Sequence, residues 1–213
     1  AFVPDRTWAP QTTESAFLPS VFSADDVRRL LALTSTVRHP VRAATLRTLL
    51  LMLYCTGLRP GEAVRVDVAD VDLDQRTFTV RESKGKTRFV PFGDDVAEIL
   101  RSYLQIRRRL VPSASGAFLV RPNGTAVPAA VASMAIRRLL RAAGLKPISG
   151  RRGPRPYDFR HTFAVHRLTA WYREGVDIPT RLPWLSAYMG HDDLLGTEAY
   201  LSATPELLAL AAD

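Results

Sequence analysis

Four short stretches of this chain set polar residues where chemistry could use them: TGLRPGEAV, SKGKTRFVPF, RPYDFRHTFAVHRL and LSAYMGHDDLLGTEAYL. In the first, Arg59 comes two residues after Gly57, which is placed to end an apolar helix, and Pro60 is placed to begin the next one. An arginine anchored there cannot wander, although taken alone the pattern reads as a surface arginine at a helix junction. In the second, Lys84 stands at the tip of a hairpin in a chain whose only lysines are Lys84, Lys86 and Lys146. A general acid must be able to release its proton, which lysine can do when its pKa is lowered and arginine in practice cannot. A solvated turn is the competing reading.

The third stretch puts Tyr157, Arg160 and His161 near the first turn of a helix that follows the basic loop SGRRGPRP, and backbone N–H groups at such a start favour an anion. Tyr157 and Arg160, three apart, share a helix face and can address one ligand, whereas His161 reads as a packing or capping residue. His39 and His166 read as surface or partly buried. In the fourth stretch His191 follows Gly190, a helix stop, and Tyr200 comes nine residues later. A tyrosine acts as a nucleophile only if its phenol loses a proton near neutral pH, and cationic groups gathered around a phosphate make that possible. Otherwise a lone tyrosine belongs to a core or an interface.

Positioning these residues requires a mainly α fold with a small antiparallel β-sheet, an α+β arrangement. Residues 1–19 mix Pro, Ser and Thr without periodicity and read as a linker or arm. In SADDVRRLLALT, Ser23 can cap a helix with Asp26 three residues on, and VRAATLRTLLLMLYCTG is a buried helix that Gly57 stops. Residues 71–92 change period: RTFTVRES alternates, KGK turns, and TRFVPF resumes the strand pattern. Helices are expected at about 94–110, 128–143, 158–172, 180–189 and 205–212.

The totals narrow the partners. A chain of 213 residues, 46% hydrophobic and 23% charged, can build a real core, and its net charge of +8 with a pI of about 10.2 predicts a polyanionic partner, nucleic acid first. The single Cys55 lies in an apolar run, so no disulfide framework and no Cys-His zinc set is expected, and a reducing interior fits best. The longest apolar run, LLLMLYCTGL, is too short to span a bilayer, and no signal peptide is visible, so the chain reads as cytoplasmic with no membrane partner.

None of the four stretches is specific alone, but their order is. An arginine in TGLR, a lysine in a hairpin about 25 residues later, an arginine in a YDFRHTFA helix start, Gly-His, and a tyrosine at plus nine together resemble the tyrosine recombinase (integrase) family over residues 20–213. WYREGVDIPTRLPWLSAYMGH and YLSATPELL look like a bacterial transposon-associated subgroup. The resemblance implies the tyrosine recombinase catalytic-domain fold, with residues 1–19 an arm from an N-terminal DNA-binding domain. It makes Arg59 and Arg160 the clamp on the scissile phosphate, His191 a further phosphate ligand, Lys84 the acid that protonates the leaving 5′ oxygen, and Tyr200 the nucleophile that forms a 3′-phosphotyrosyl link. Where the family usually has His-x-x-Arg, this chain has Tyr157-Asp158-Phe159-Arg160, so Tyr157 is read as a positioning group and the base is left open.

No metal or other cofactor is implied, because fixed cationic donors can stabilise the charge gathered on a phosphodiester attacked in line, each good donor being worth on the order of 3 kcal/mol. The implied partners are double-stranded DNA, contacted through Lys86, Arg88, Arg151, Arg152 and Arg155, and other protomers, reached through the final helix in residues 205–213. Three rivals stand beside this reading. A type IB topoisomerase uses similar residues. A metal-dependent nuclease would need Asp70, Asp72 and Asp74, which precede a hairpin without a second acidic cluster. A non-catalytic repressor would need neither Tyr200 nor Lys84.

Overall fold

The five consecutive residues Leu49 to Leu53 are all buried, so helix α2 (Pro40–Thr56) has no face to offer solvent along that turn and a half and must be surrounded. In the computed structural model it is: α1 (Ala24–Thr34), α3 (Pro60–Arg65), α4 (Asp94–Leu110), α5 (Ala129–Ala142) and α6 (Asp158–Arg173) all pack on it. The structure describes residues 20–83, 86–150, 152–191, 197 and 200, with the backbone alone at residues 82, 83 and 86. The expected arm in residues 1–19, Lys84, Arg151 and the expected helix at 205–212 lie outside the described residues.

Local chemistry sets the ends of these elements. Ser23 Oγ accepts from the Asp26 amide at 3.1 Å while Asp26 accepts from the Ser23 amide at 3.0 Å, which closes the expected capping box at the start of α1. Helix α2 stops at Gly57, whose φ of 62° is left-handed and whose N–H caps the Leu53 carbonyl. Helix α7 (Ile178–Met189) begins two residues before its expected start, because Pro179 sits in the first turn, where a missing N–H costs no hydrogen bond. It ends at Gly190, with φ 66°.

The sheet is antiparallel, in the order β1 (Val71–Asp72), β2 (Thr77–Ser83), β3 (Lys86–Pro91). Phe78 pairs with Val90 and Val80 with Arg88, so Phe78, Val80, Val90 and then Phe92 face the main core while Phe89 faces out. A second, smaller core lies between α6 and α7, built from Phe163, Ala164, Leu168, Leu182, Leu185 and Met189, and Tyr200 packs into it. Phe22 joins the entering chain to α6, stacking on Phe159 at 4.6 Å and donating its N–H to Thr162 Oγ1 at 3.0 Å. Among the described residues no helix is long and apolar enough to cross a membrane.

Candidate active site

The carbonyls at the end of a helix have no partner within it and form the negative end of the helix dipole. At the end of α7, three successive carbonyls are each taken by a different arginine. Tyr188 O accepts from Arg88 Nε at 3.0 Å, Met189 O from the Arg160 guanidinium, and Gly190 O from Arg59 at 2.9 Å. These arginines come from β3, from the first turn of α6 and from the residue preceding α3, so one helix end gathers three distant segments. Arg160 also donates to Gly57 O, at the end of α2, at 2.9 Å. It is 1% exposed, and burial, followed by the neighbouring charge of Arg59, holds its pKa below the ordinary value.

Between Arg59 and Arg88 lies Glu62, which is fully enclosed. One carboxylate oxygen accepts from Arg59 at 2.6 Å and Arg88 at 3.1 Å, and the other from the Arg59 amide and Arg88 at 2.9 Å each. The sequence reading missed Glu62. Its signal was the third helical position, two residues after Pro60, where a carboxylate can reach back to the amide of the residue that precedes the helix. The reading of Arg88 as a DNA contact is corrected for a related reason: Arg88 is in phase with Val90 and Phe92, so it points inward, and Glu62 and Tyr188 O engage all three of its nitrogens.

Tyr200 is 5% exposed, and burial, only partly offset by the charges of Arg160 and Arg59, pushes its phenol up to about 12. Its hydroxyl lies 3.2 Å from His161 Nδ1 and is within hydrogen-bonding contact of Arg160. The His161 ring sits between Tyr157, at 5.1 Å, and Tyr200, at 5.4 Å. His161, expected to pack or cap, packs between the two tyrosines, one helical turn from Tyr157 on the same face of α6, and in addition turns Nδ1 to the Tyr200 hydroxyl. His191 stacks on the other side of Tyr200 at 6.1 Å, held by Thr197 Oγ1 at 2.6 Å from its Nδ1 and by its own amide bonding to Ser186 O. Tyr157 is hydrogen-bonded to Arg59.

This group opens on a cleft of about 760 Å³ whose lining includes Arg59, Arg65, Arg137, Arg155, Tyr157 and His161. Arg65 and Arg137, from α3 and α5, were not singled out in the sequence, because nothing in a local pattern distinguishes them from other exposed arginines. The fold thus brings together Arg59, Tyr157, Arg160, His191 and Tyr200 from the five residues expected among those described. Arg155 borders the cleft, where it pairs with the buried Asp158 at 3.5 Å. Arg152 is exposed in the basic loop, which Lys146 orders by donating to the carbonyls of Arg152 at 2.5 Å and Gly153 at 3.3 Å. Of the carboxylates a metal nuclease would use, Asp70 is buried and paired with Arg81 at 2.5 Å, and Asp72 accepts from the amides of Asp74 and Gln75 in a turn.

A mainly helical domain with a small antiparallel sheet, gathering arginines and histidines about one tyrosine, defines the class: it is the catalytic-domain fold of the tyrosine recombinases. Residues 20–206 match the Phage integrase family, and the chain belongs to that family. It is 35% identical over 198 residues to a putative integrase/recombinase, y4rB, of Sinorhizobium fredii, covering 89% of this chain and 63% of that one. It is 32% identical over 208 residues to the tyrosine recombinase XerA of Thermococcus kodakarensis, covering 97% of this chain and 66% of the relative. The crystal structure of XerA recombinase superposes with a TM-score of 0.71 at 26% identity, over 90% of this chain and 63% of that chain. The chain therefore spans just under two thirds of the length of these relatives.

Proposed function

We propose that this chain is the catalytic part of a site-specific DNA recombinase that cleaves and rejoins DNA strands through a 3′-phosphotyrosyl intermediate, in DNA integration or transposition. The observation that carries the reading is the Tyr200 hydroxyl in contact with Arg160 and with His161, a residue that itself lines the arginine-rich cleft. Arg59, Arg160 and His191 hold the scissile phosphate. Arg160 keeps a buried Nε with no acceptor among the described residues, a donor that a phosphate oxygen would satisfy. Tyr200 attacks phosphorus, and Lys84 protonates the 5′ oxygen that leaves.

The same reading extends to the rest of the assembly. Double-stranded DNA lies along the cleft, contacted by Arg65, Arg137, Arg152 and Arg155, with Lys86 and Arg151 as further DNA contacts. Residues 1–19 lead from an N-terminal DNA-binding domain, residues 205–213 reach a neighbouring protomer, and the reaction takes place in the cytoplasm. No ATP is needed for joining, since the energy of the broken phosphodiester is kept in the tyrosyl linkage.

The test is a suicide duplex, nicked so that the cleaved end diffuses away, with a covalent adduct read on a denaturing gel. Wild type forms the adduct. Tyr200→Phe keeps the fold and duplex binding and forms none, whereas a normal adduct yield from that variant refutes the mechanism.

A further inference from the structure

Resting on that cleavage chemistry, we infer that His161 is the base that takes the proton from Tyr200, in place of the residue at position 157. A general base must be within hydrogen-bond reach of the proton it removes. Nδ1 of His161 is 3.2 Å from the Tyr200 hydroxyl, the atom that attacks. Tyr157 fails on two counts. It is 37% exposed and tied by a hydrogen bond to Arg59, and an imidazole is a far commoner proton acceptor than a phenol. Positions 157 and 161 lie one turn apart on one face of α6, so the imidazole stands on the same side of the cleft as the group it replaces.

The surroundings keep His161 ready to accept. Burial lowers its pKa first, Asp158 from the same turn opposes, and Arg155 and Arg160 add to the lowering. Among the described residues, Arg59, Glu62, Arg65 and Arg137 line the same cleft, the phenols of Tyr157 and Tyr200 flank the ring, and the His191 imidazole packs against Tyr200. The lowering favours the neutral ring, and for Nδ1 to take the tyrosine's proton the ring must carry its own on Nε2. As the Tyr200 oxygen bonds to phosphorus, its proton passes to Nδ1, the bond from phosphorus to the 5′ oxygen breaks, and that oxygen takes its proton from Lys84. On rejoining, a 5′ hydroxyl attacks, its proton goes to Lys84, and the imidazolium returns its own proton to the departing Tyr200.

The suicide-duplex assay, run as a rate from pH 5 to 9, tests this. In wild type the rate falls on the acid side, below the ordinary imidazole range, as His161 becomes protonated, and is flat above. His161→Gln keeps a hydrogen-bonding group but cannot take the proton, so the plateau should drop by roughly 10²-fold or more and the acid limb should vanish. Imidazole added to His161→Ala should restore part of the rate. Tyr157→Phe should keep the acid limb. A wild-type rate in His161→Gln, an acid limb that survives in it, or a limb that vanishes in Tyr157→Phe would overturn the inference. If the His161 variants lose duplex binding or their helical circular dichroism, the wild-type and Tyr157→Phe profiles decide: a limb in both supports His161, and a flat wild-type profile refutes it. An adduct that is lost in Tyr200→Phe but untouched by His161→Gln overturns this inference alone, while no wild-type adduct overturns the cleavage chemistry with it.

Discussion

Glu62→Gln changes one atom and should damage both stability and catalysis. The carboxylate accepts four hydrogen bonds, two on each oxygen, from Arg59 and Arg88, and the three side chains are 2%, 18% and 14% exposed respectively. An amide nitrogen in place of either oxygen turns two of those contacts into donor against donor and removes the charge that both guanidiniums answer. At an effective dielectric near 20, opposite charges 4 Å apart attract by about 4 kcal/mol, and breaking a buried ion pair by removing one partner costs about 3–5 kcal/mol. The expected loss is of that size. For a domain of this length, with each kcal/mol worth about 2–4 °C, the melting temperature should fall by roughly 6–20 °C, read by circular dichroism in matched buffer. Removing one cation as well, in Glu62→Gln with Arg88→Met, should recover part of the loss, since the two residues share one network. A melting point within about 2 °C of wild type for the single variant would refute the argument, because it would mean that solvent or a rearranged arginine replaces the carboxylate at little cost.

Gly57→Ala should destabilise by about 2–4 kcal/mol, because φ is +62° there and an added Cβ would lie 2.5 Å from the Phe163 ring; urea unfolding midpoints measure it, and a loss below about 1 kcal/mol would show that α6 yields freely. Lys84→Arg keeps the charge and removes ready proton release, so cleavage should fall with duplex binding nearly unchanged. A 5′-phosphorothiolate at the scissile position, whose sulfur leaves without a proton, should restore much of that rate; no rescue would reduce Lys84 to a phosphate contact.

What could be read from the sequence divides along a physical line. Helix α4 begins and ends at its expected residues, and the Ser23 box, the Gly57 stop and the alternation in β2 and β3 appear as expected, because each depends on residues within a few positions of one another. That Arg59, Arg160, His191 and Tyr200 would come together was legible through their order along the chain. Glu62 and the inward turn of Arg88 were not, although both left local traces, because their meaning lies in a pairing 26 residues apart between a helix and a strand. The contact of His161 with Tyr200 was hidden for the same reason. Its neighbours in sequence suggest a helix start, and only the return of the chain at Tyr200, 39 residues on, gives the imidazole something to do.

The arrangement of charges explains how such a site can stand assembled. Arg59 and Arg160 are close enough that each disfavours the other's charge, and Arg88 adds a third cation behind them. Glu62 answers one of the three charges, and the carbonyls of Tyr188, Met189, Gly190 and Gly57 supply only partial charges at two helix ends. Among the described residues the three cations exceed the Glu62 carboxylate by two charges. On the proposed mechanism a phosphodiester brings one negative charge, and the five-coordinate state reached as Tyr200 attacks would bring a second, so this excess matches that transition state more closely than the bound substrate. Preference for the transition state is what accelerates a reaction. Because the cations are held by backbone already in place, little reorganisation is left for the moment of attack. The same fixed field bears on proton transfer: it favours the phenolate of Tyr200 and disfavours the imidazolium of His161, so His161 releases its proton readily when the tyrosine must leave.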